Sequence, residues 1–150
     1  MHATKSSSPA RTPRQSKQHV LAIDVGGTHV KLLATGQKEV RMIPSGPKLT
    51  AREMVKRAKD AVKDWNYEAV SIGYPGPVVQ GRPINEPFNL APGWVKFDYR
   101  KAFGKPVKII NDAAMQALGS YKKGRMLFLG LGTGLGSAMI VDGVLQPMEL

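Results

Sequence analysis

Asp24 stands at the end of a short apolar run, VLAIDV at 20–25, and Gly26-Gly27-Thr28 follows it at once. Glycine has no Cβ, so such a turn can bring successive backbone N–H groups close to an anion. A second segment, GLGTGLG at 130–136, contains Gly132-Thr133-Gly134 and ends on Gly136; it can do the same. Neither segment has the Gly-Lys-Ser/Thr of a Walker loop, and Leu135 stands where a GxGxxG motif needs its last glycine. Each alone reads first as a tight hairpin turn. Two of them, with Asp24 ahead of the first, point to phosphate binding. A carboxylate at a strand end also suits hydrated magnesium, which keeps several waters and takes one or two carboxylates beside phosphate oxygens. Lys31 reads either as a point charge for phosphate or as a solvent-facing strand residue.

A second carboxylate, Asp112, follows Asn111 and the apolar run PVKII at 106–110. Two readings stand side by side. Asp112 can be a helix N-cap, worth about 1 kcal/mol. It can also be a general base that takes a proton from a substrate hydroxyl, with the neighbouring amide orienting the same substrate.

These residues need elements to position them. HVKLLAT after the first glycine turn alternates loosely, so 20–25 and 29–35 read as two strands around a turn, and KEVRMI at 38–43 as a third. Residues 50–65 read as a helix. Thr50 can cap it with Glu53 three positions on, and Met54, Val55, Ala58, Ala61, Val62 and Trp65 share one face. AVSIGY at 69–74 is a strand ended by Pro75-Gly76-Pro77, residues 80–94 are a long loop, 98–103 a short helix and 106–110 a buried strand. A helix then carries Ala114, Ala117, Leu118 and Tyr121. MLFLGL at 126–131 and SAMIV, with Asp142-Gly143 before VLQ, form a terminal hairpin. LAIDVGGTHVKLL and LFLGLGTGLGSAMIV share the order strand, glycine turn, strand, which reads as one unit used twice.

The chain has 150 residues, 42% hydrophobic and 22% charged, ordinary for one globular domain. It has no cysteine, which excludes disulfides, thiol catalysis and Cys-ligated metals. No apolar run is long enough for a membrane span and no signal-peptide core is present, so the cytoplasm is the expected address. Lys plus Arg number 22 against 11 acids, a net charge of +11. Four of these cations lie in residues 1–18, a Ser- and Pro-rich segment expected to be a disordered basic tail. Lys96, Arg100, Lys101, Lys105 and Lys108 cluster against Asp98. Such a balance suggests polyanions as partners. The basic segments lack interleaved aromatics, so specific nucleic-acid binding is not expected, and a solvated basic surface is the plainer reading.

Taken together, DVGGTHVK at 24–31, GYPGPV at 73–78, PFNLAPGW at 87–94, INDAAMQALG at 110–119 and LGLGTGLGSAMIVDG at 129–143 resemble the ROK family of sugar kinases. The segments keep the family's order, span nearly all of 20–150, and most resemble its polyphosphate/ATP glucokinase branch. The resemblance implies an α/β, actin-like (ribonuclease H-like) fold of two similar domains around a cleft. It divides the chain into the tail (1–18), an N-terminal kinase domain (19–123) and the first hairpin of a second domain (124–150). It assigns one phosphate loop to Asp24, Gly26, Gly27, Thr28 and Lys31, and the other to Gly132, Thr133, Gly134 and Gly136. Asn111 would hold sugar hydroxyls, Asp112 would be the catalytic base, and Asn89 would line the sugar pocket. Glu149 is similar to the first residue of the family's Glu-x-Gly-His sugar motif, and Gly81 and Arg82 would also face the sugar. The family's repressors carry a helix-turn-helix ahead of the kinase fold, for which 18 residues leave no room.

The activity implied is phosphoryl transfer from ATP or polyphosphate, with Mg²⁺, to the 6-hydroxyl of glucose or a related hexose. Homo-oligomers are expected at full length. Because the sequence stops inside the Glu149 motif, the 150 residues are expected to be the N-terminal part of a longer kinase and, alone, a weak catalyst or none. The alternative is a kinase-derived module that binds a sugar or a partner without turnover.

Overall fold

The computed structural model describes residues 18–131 and 135–146. Three strands, β1 (Val20–Val25), β2 (His29–Ala34) and β3 (Arg41–Pro44), form an antiparallel meander. Helix α1 (Ala51–Ala61) leads to β4 (Ala69–Tyr74), which pairs parallel to β1. A short hairpin, β5 (Val78–Val79) and β6 (Arg82–Pro83), precedes α2 (Tyr99–Phe103). Strand β7 (Val107–Asn111) lies parallel to β4 and completes a five-stranded sheet of order β3-β2-β1-β4-β7. Helix α3 (Asp112–Ser120) then leads to a second meander, β8 (Arg125–Leu131), β9 (Leu135–Val141) and β10 (Val144–Gln146), a separate three-stranded sheet. Among the described residues no helix is long and apolar enough to cross a membrane.

The alternation read from the sequence becomes the core. Leu21, Ile23 and Val25 on β1 meet Val30 and Leu32 on β2, Val70 and Ile72 on β4, and the α1 face Met54, Val55 and Ala58. Helix α3 covers the opposite face of the sheet, where Gly73 lies against Met115 and the Asp112 backbone. Its other side carries the second meander, through Ala114, Ala117, Ala138 and Ile140. The approach is close: a Cβ on Gly136 would lie 3.0 Å from the Ala113 Cβ. Helix α3 is therefore the layer shared by both sheets.

Three expected boundaries move. The third strand begins at Arg41 rather than 38. The first helix ends at Ala61, with Val62 as its C-cap, and not at 65. Arg41 explains that end: its guanidinium donates to the Ala61 carbonyl at 2.7 Å, pairs with Asp64, and sits 4.3 Å from the Trp65 ring. A last-turn carbonyl is thus satisfied from outside the helix, and Trp65 packs into the core from a turn. Third, the expected loop at 80–94 begins inside a hairpin: β5 precedes it and its first residues form the turn and β6. Its Gln80-Gly81 corner has both residues at positive φ, 49° and 73°, as a type I′ turn requires. Gln-Gly is not the usual Asn-Gly signal for that turn.

Candidate active site

The first glycine turn joins β1 to β2. The Gly26 N–H donates to the His29 carbonyl at 3.1 Å, and a Cβ on Gly26 would lie 2.8 Å from that oxygen. Gly26 therefore shapes the turn and spends its own donor on it. The N–H groups of Gly27 and Thr28 have no protein acceptor among the described residues, which leaves them free for an anion. Behind the turn, Asp24 is half-buried and Lys31 is its cross-strand partner.

A pinned loop supplies Asn89. The Glu86 carboxylate accepts from the N–H groups of Gly93, Trp94 and Val95 at 2.9–3.3 Å. The Tyr74 hydroxyl donates to the Asn85 carbonyl at 2.7 Å, the Tyr99 hydroxyl to the Trp94 carbonyl at 3.1 Å, and the Ala91 N–H to the Leu49 carbonyl at 3.2 Å. The result is that Asn89 lies beside Gly27, its Cβ 3.7 Å from where a Gly27 Cβ would be.

The end of β7 resolves the two readings of the Asn-Asp pair at the level of the cap. Asn111, not Asp112, is the N-cap of α3: its Oδ1 accepts from the Ala114 N–H at 3.3 Å, and its Nδ2 donates to the Gly76 carbonyl at 3.1 Å. One Asn111 amide hydrogen remains for a ligand. Asp112 is the first helical residue; one of its oxygens accepts from the Ala113 N–H at 2.8 Å.

These pieces surround a cavity of about 560 Å³. Gly26 and Gly27 line it from the β1–β2 turn, Asn89 from its loop, Asn111, Asp112 and Gln116 from β7 and α3, and Gly130, Leu131, Leu135 and Gly136 from the second meander. The flanks of the second glycine turn thus face the first turn across one cavity. Gly132, Thr133, Gly134 and Glu149 lie outside the described residues, as does the tail to residue 17. Asp24, Thr28 and Lys31 are not in the lining. Gly81 and Arg82 do not reach it either: they are exposed at the β5–β6 hairpin, a turn geometry that their expected sugar-facing role did not anticipate.

Gln116 and Phe88 are among the lining residues that the sequence reading did not single out. Gln116 stands one helical turn after Asp112 on the same face, so the i, i+4 spacing would have found it. Phe88, beside Asn89, is almost fully exposed at the cavity; an exposed phenylalanine leaves no periodic signal.

Burial pushes the Asp112 carboxyl above the ordinary carboxylate range, against the pull of the Ala113 N–H. Asp24 is also raised, first by burial and then by the charge of Asp112, with Lys31 and the Gln116 amide opposing. Asp24 and Asp112 are thus two partly desolvated carboxylates that repel each other. Among the described residues no group of three or more acidic or histidine side chains is placed to hold a metal ion.

Residues 20–147 match the ROK family. Among curated proteins, the chain is 30% identical to a glucokinase of Pyrobaculum calidifontis, over 83% of this chain and 44% of that protein. It is 29% identical to the polyphosphate glucokinase of Mycobacterium tuberculosis, over 92% of this chain and 59% of that protein. Among solved structures, the inorganic polyphosphate/ATP-glucomannokinase of Arthrobacter sp. strain KM superposes with a TM-score of 0.73 at 26% identity, covering 89% of this chain and 62% of that one. A ROK hexokinase from Thermus thermophilus superposes with a TM-score of 0.69 at 24% identity, covering 88% and 50%. The chain spans about half the length of the curated relatives it matches.

Proposed function

The chain belongs to the ROK family and has its actin-like α/β fold, and from that footing we propose that the cavity transfers a phosphoryl group from ATP or polyphosphate to the 6-hydroxyl of glucose or a related hexose. The observation that carries the reading is the position of Asp112. Asn111 takes the capping role, which leaves Asp112 a desolvated carboxylate in one cavity with Asn89, Asn111 and the Gly27 turn. Kinship with proteins called glucokinase and polyphosphate glucokinase supports the substrate class.

In this reading Asn89 and the free Asn111 amide hydrogen hold sugar hydroxyls. Asp112 accepts the proton of the attacking hydroxyl, while the hydroxyl oxygen bonds to phosphorus and the bond from phosphorus to the leaving phosphate breaks. A raised pKa makes Asp112 a better base than an ordinary aspartate. The Gly27 and Thr28 N–H groups, with Lys31 behind them, hold donor phosphates, and Gly132, Thr133, Gly134 and Gly136 make the second phosphate loop. Glu149 adds a further sugar contact. Asp24 would hold Mg²⁺ through water, and a bound ion would supply charge neutralisation at the transferring phosphate. Residues 19–123 form one unit and 124–150 the start of a second, with α3 between them. The full-length protein is a cytoplasmic homo-oligomer.

The test is a single-turnover assay with protein in excess over labelled hexose, which detects even a weak catalyst. Glucose with ATP or with polyphosphate should give glucose 6-phosphate. Hexose binding without product from either donor would favour the non-catalytic sugar-binding module instead.

A further inference from the structure

The cleft does not account for the net charge of +11. A second depression, of about 350 Å³, lies between α1 and α2. Val55, Phe97 and Ala102 form its floor, and Arg52, Lys56 and Lys59 its cationic rim, with Asp60 the acid beside them. The spacing 52, 56, 59 sets the three cations along one row of α1, over about 10 Å of helix.

Asp60, the acid in the groove, forms no ion pair among the described residues, while the acids around the groove are engaged. Asp98 caps α2 by accepting from the Lys101 N–H, Glu53 pairs with Arg57, and Asp64 pairs with Arg41. Lys59 donates to the Ala102 carbonyl at 3.2 Å, whereas Arg52 and Lys56 form no ion pair among the described residues. Like charges at i, i+4 weaken a helix, so the row is a cost that a bound polyanion would remove.

The floor indicates which polyanion. Sites for single-stranded nucleic acid add open aromatic faces on which bases stack. Phe97 is half-buried and packs edge-on to Tyr99 at 4.9 Å, which offers a base no platform. A chain of phosphates without bases fits a cationic rim over a small apolar floor.

We propose that the α1–α2 groove is an anchoring site for inorganic polyphosphate, separate from the catalytic cavity. The inference rests on the reading above that a phosphate polymer serves as donor, and it adds a second point of attachment for that polymer. Helix α1 enters beside the loop that carries Asn89, to which the Ala91–Leu49 hydrogen bond ties it. The Arg52 end of the groove is therefore the end nearer the cavity.

The experiment measures binding of long-chain polyphosphate to the purified protein across a salt series, with tripolyphosphate and poly(U) RNA in parallel. Arg52→Gln/Lys56→Gln should weaken long-chain polyphosphate about tenfold and flatten the slope of log affinity against log salt by about 1–1.5. Tripolyphosphate, too short to span groove and cavity, should respond far less. Lys56→Arg keeps the charge and should bind the polymer like the parent, which separates charge from folding damage. Unchanged polymer affinity in the double variant overturns the proposal, as does poly(U) binding as tightly as polyphosphate. ATP-driven phosphorylation of glucose, read on the same samples, should be unaffected by the double variant. Because binding is read without turnover, loss of this site and loss of the proposed phosphoryl transfer are distinguishable.

Discussion

Leu21, Ile23 and Val25 alternate along β1 and are fully buried, while Leu127, Leu129 and Leu131 alternate along β8 and are 55%, 54% and 89% exposed. Both strands open three-stranded antiparallel meanders with a glycine-rich first turn. The first meander continues sideways into β4 and β7 and is covered by α1 on one face and α3 on the other. Among the described residues the second is covered by α3, where Ala138 and Ile140 are buried, while Leu127, Leu129 and Met139 on the opposite face are not. The period-2 pattern decides that a hairpin forms and which residues share a face. Whether a face is buried depends on the layers stacked against it.

The largest expected effect comes from truncating the covered meander. Ile23→Ala should destabilise by about 2–5 kcal/mol, the range for a buried Ile opened to a cavity, as read by urea denaturation. At the junction of the two meanders, Gly136→Ala pushes a methyl against Ala113, and overpacking there should cost about 1–3 kcal/mol. On the bare face, Leu129→Ala should change stability by no more than about 0.5 kcal/mol. Equal costs for Ile23→Ala and Leu129→Ala would mean that the second sheet is covered in solution.

A comparison of two carboxylates sharpens the contrast between site and scaffold. Asp112 is raised, so the native state holds its proton more tightly than the unfolded state, and its ionisation erodes stability as pH climbs past the ordinary carboxylate range. Asp112→Asn should therefore raise Tm at neutral pH, with the gain vanishing in acid. Asp64 is lowered to about 2 by its hydrogen bonds to Arg41. Its contribution is present above the ordinary carboxylate pKa and is lost as pH falls toward 2, so Asp64→Asn should lower Tm at neutral pH by a small, salt-sensitive amount. Tm shifts of the same sign for the two variants would contradict this division.

Much of this arrangement was legible in the residues. Alternation around Gly26-Gly27-Thr28 located the first hairpin, the Thr50 cap located α1, and an apolar run ending in Asn111-Asp112 located the strand–helix junction. What escaped depends on contacts distant in sequence. The early end of α1 is made by Arg41, twenty residues upstream of the carbonyl it satisfies. The loop holding Asn89 is ordered by Glu86 and by hydroxyls from β4 and α2, none of which has a local signature. Capping by Asn111 rather than Asp112 turned on one residue, since either side chain can cap a helix. That Gly26 spends its N–H within its own turn is a matter of backbone direction, which residue type does not encode.

The account turns on Asp112 as a base rather than a cap, and the single-turnover rate of hexose phosphorylation by Asp112→Asn tests it directly. Asparagine keeps the size and the hydrogen bond to the Ala113 N–H but cannot take the proton. The rate should fall by about 10²–10⁴-fold while hexose and donor affinities stay within about twofold of the parent. A rate close to the parent's, at equal affinities, would contradict the base assignment and return Asp112 to a structural place in the first turn of α3.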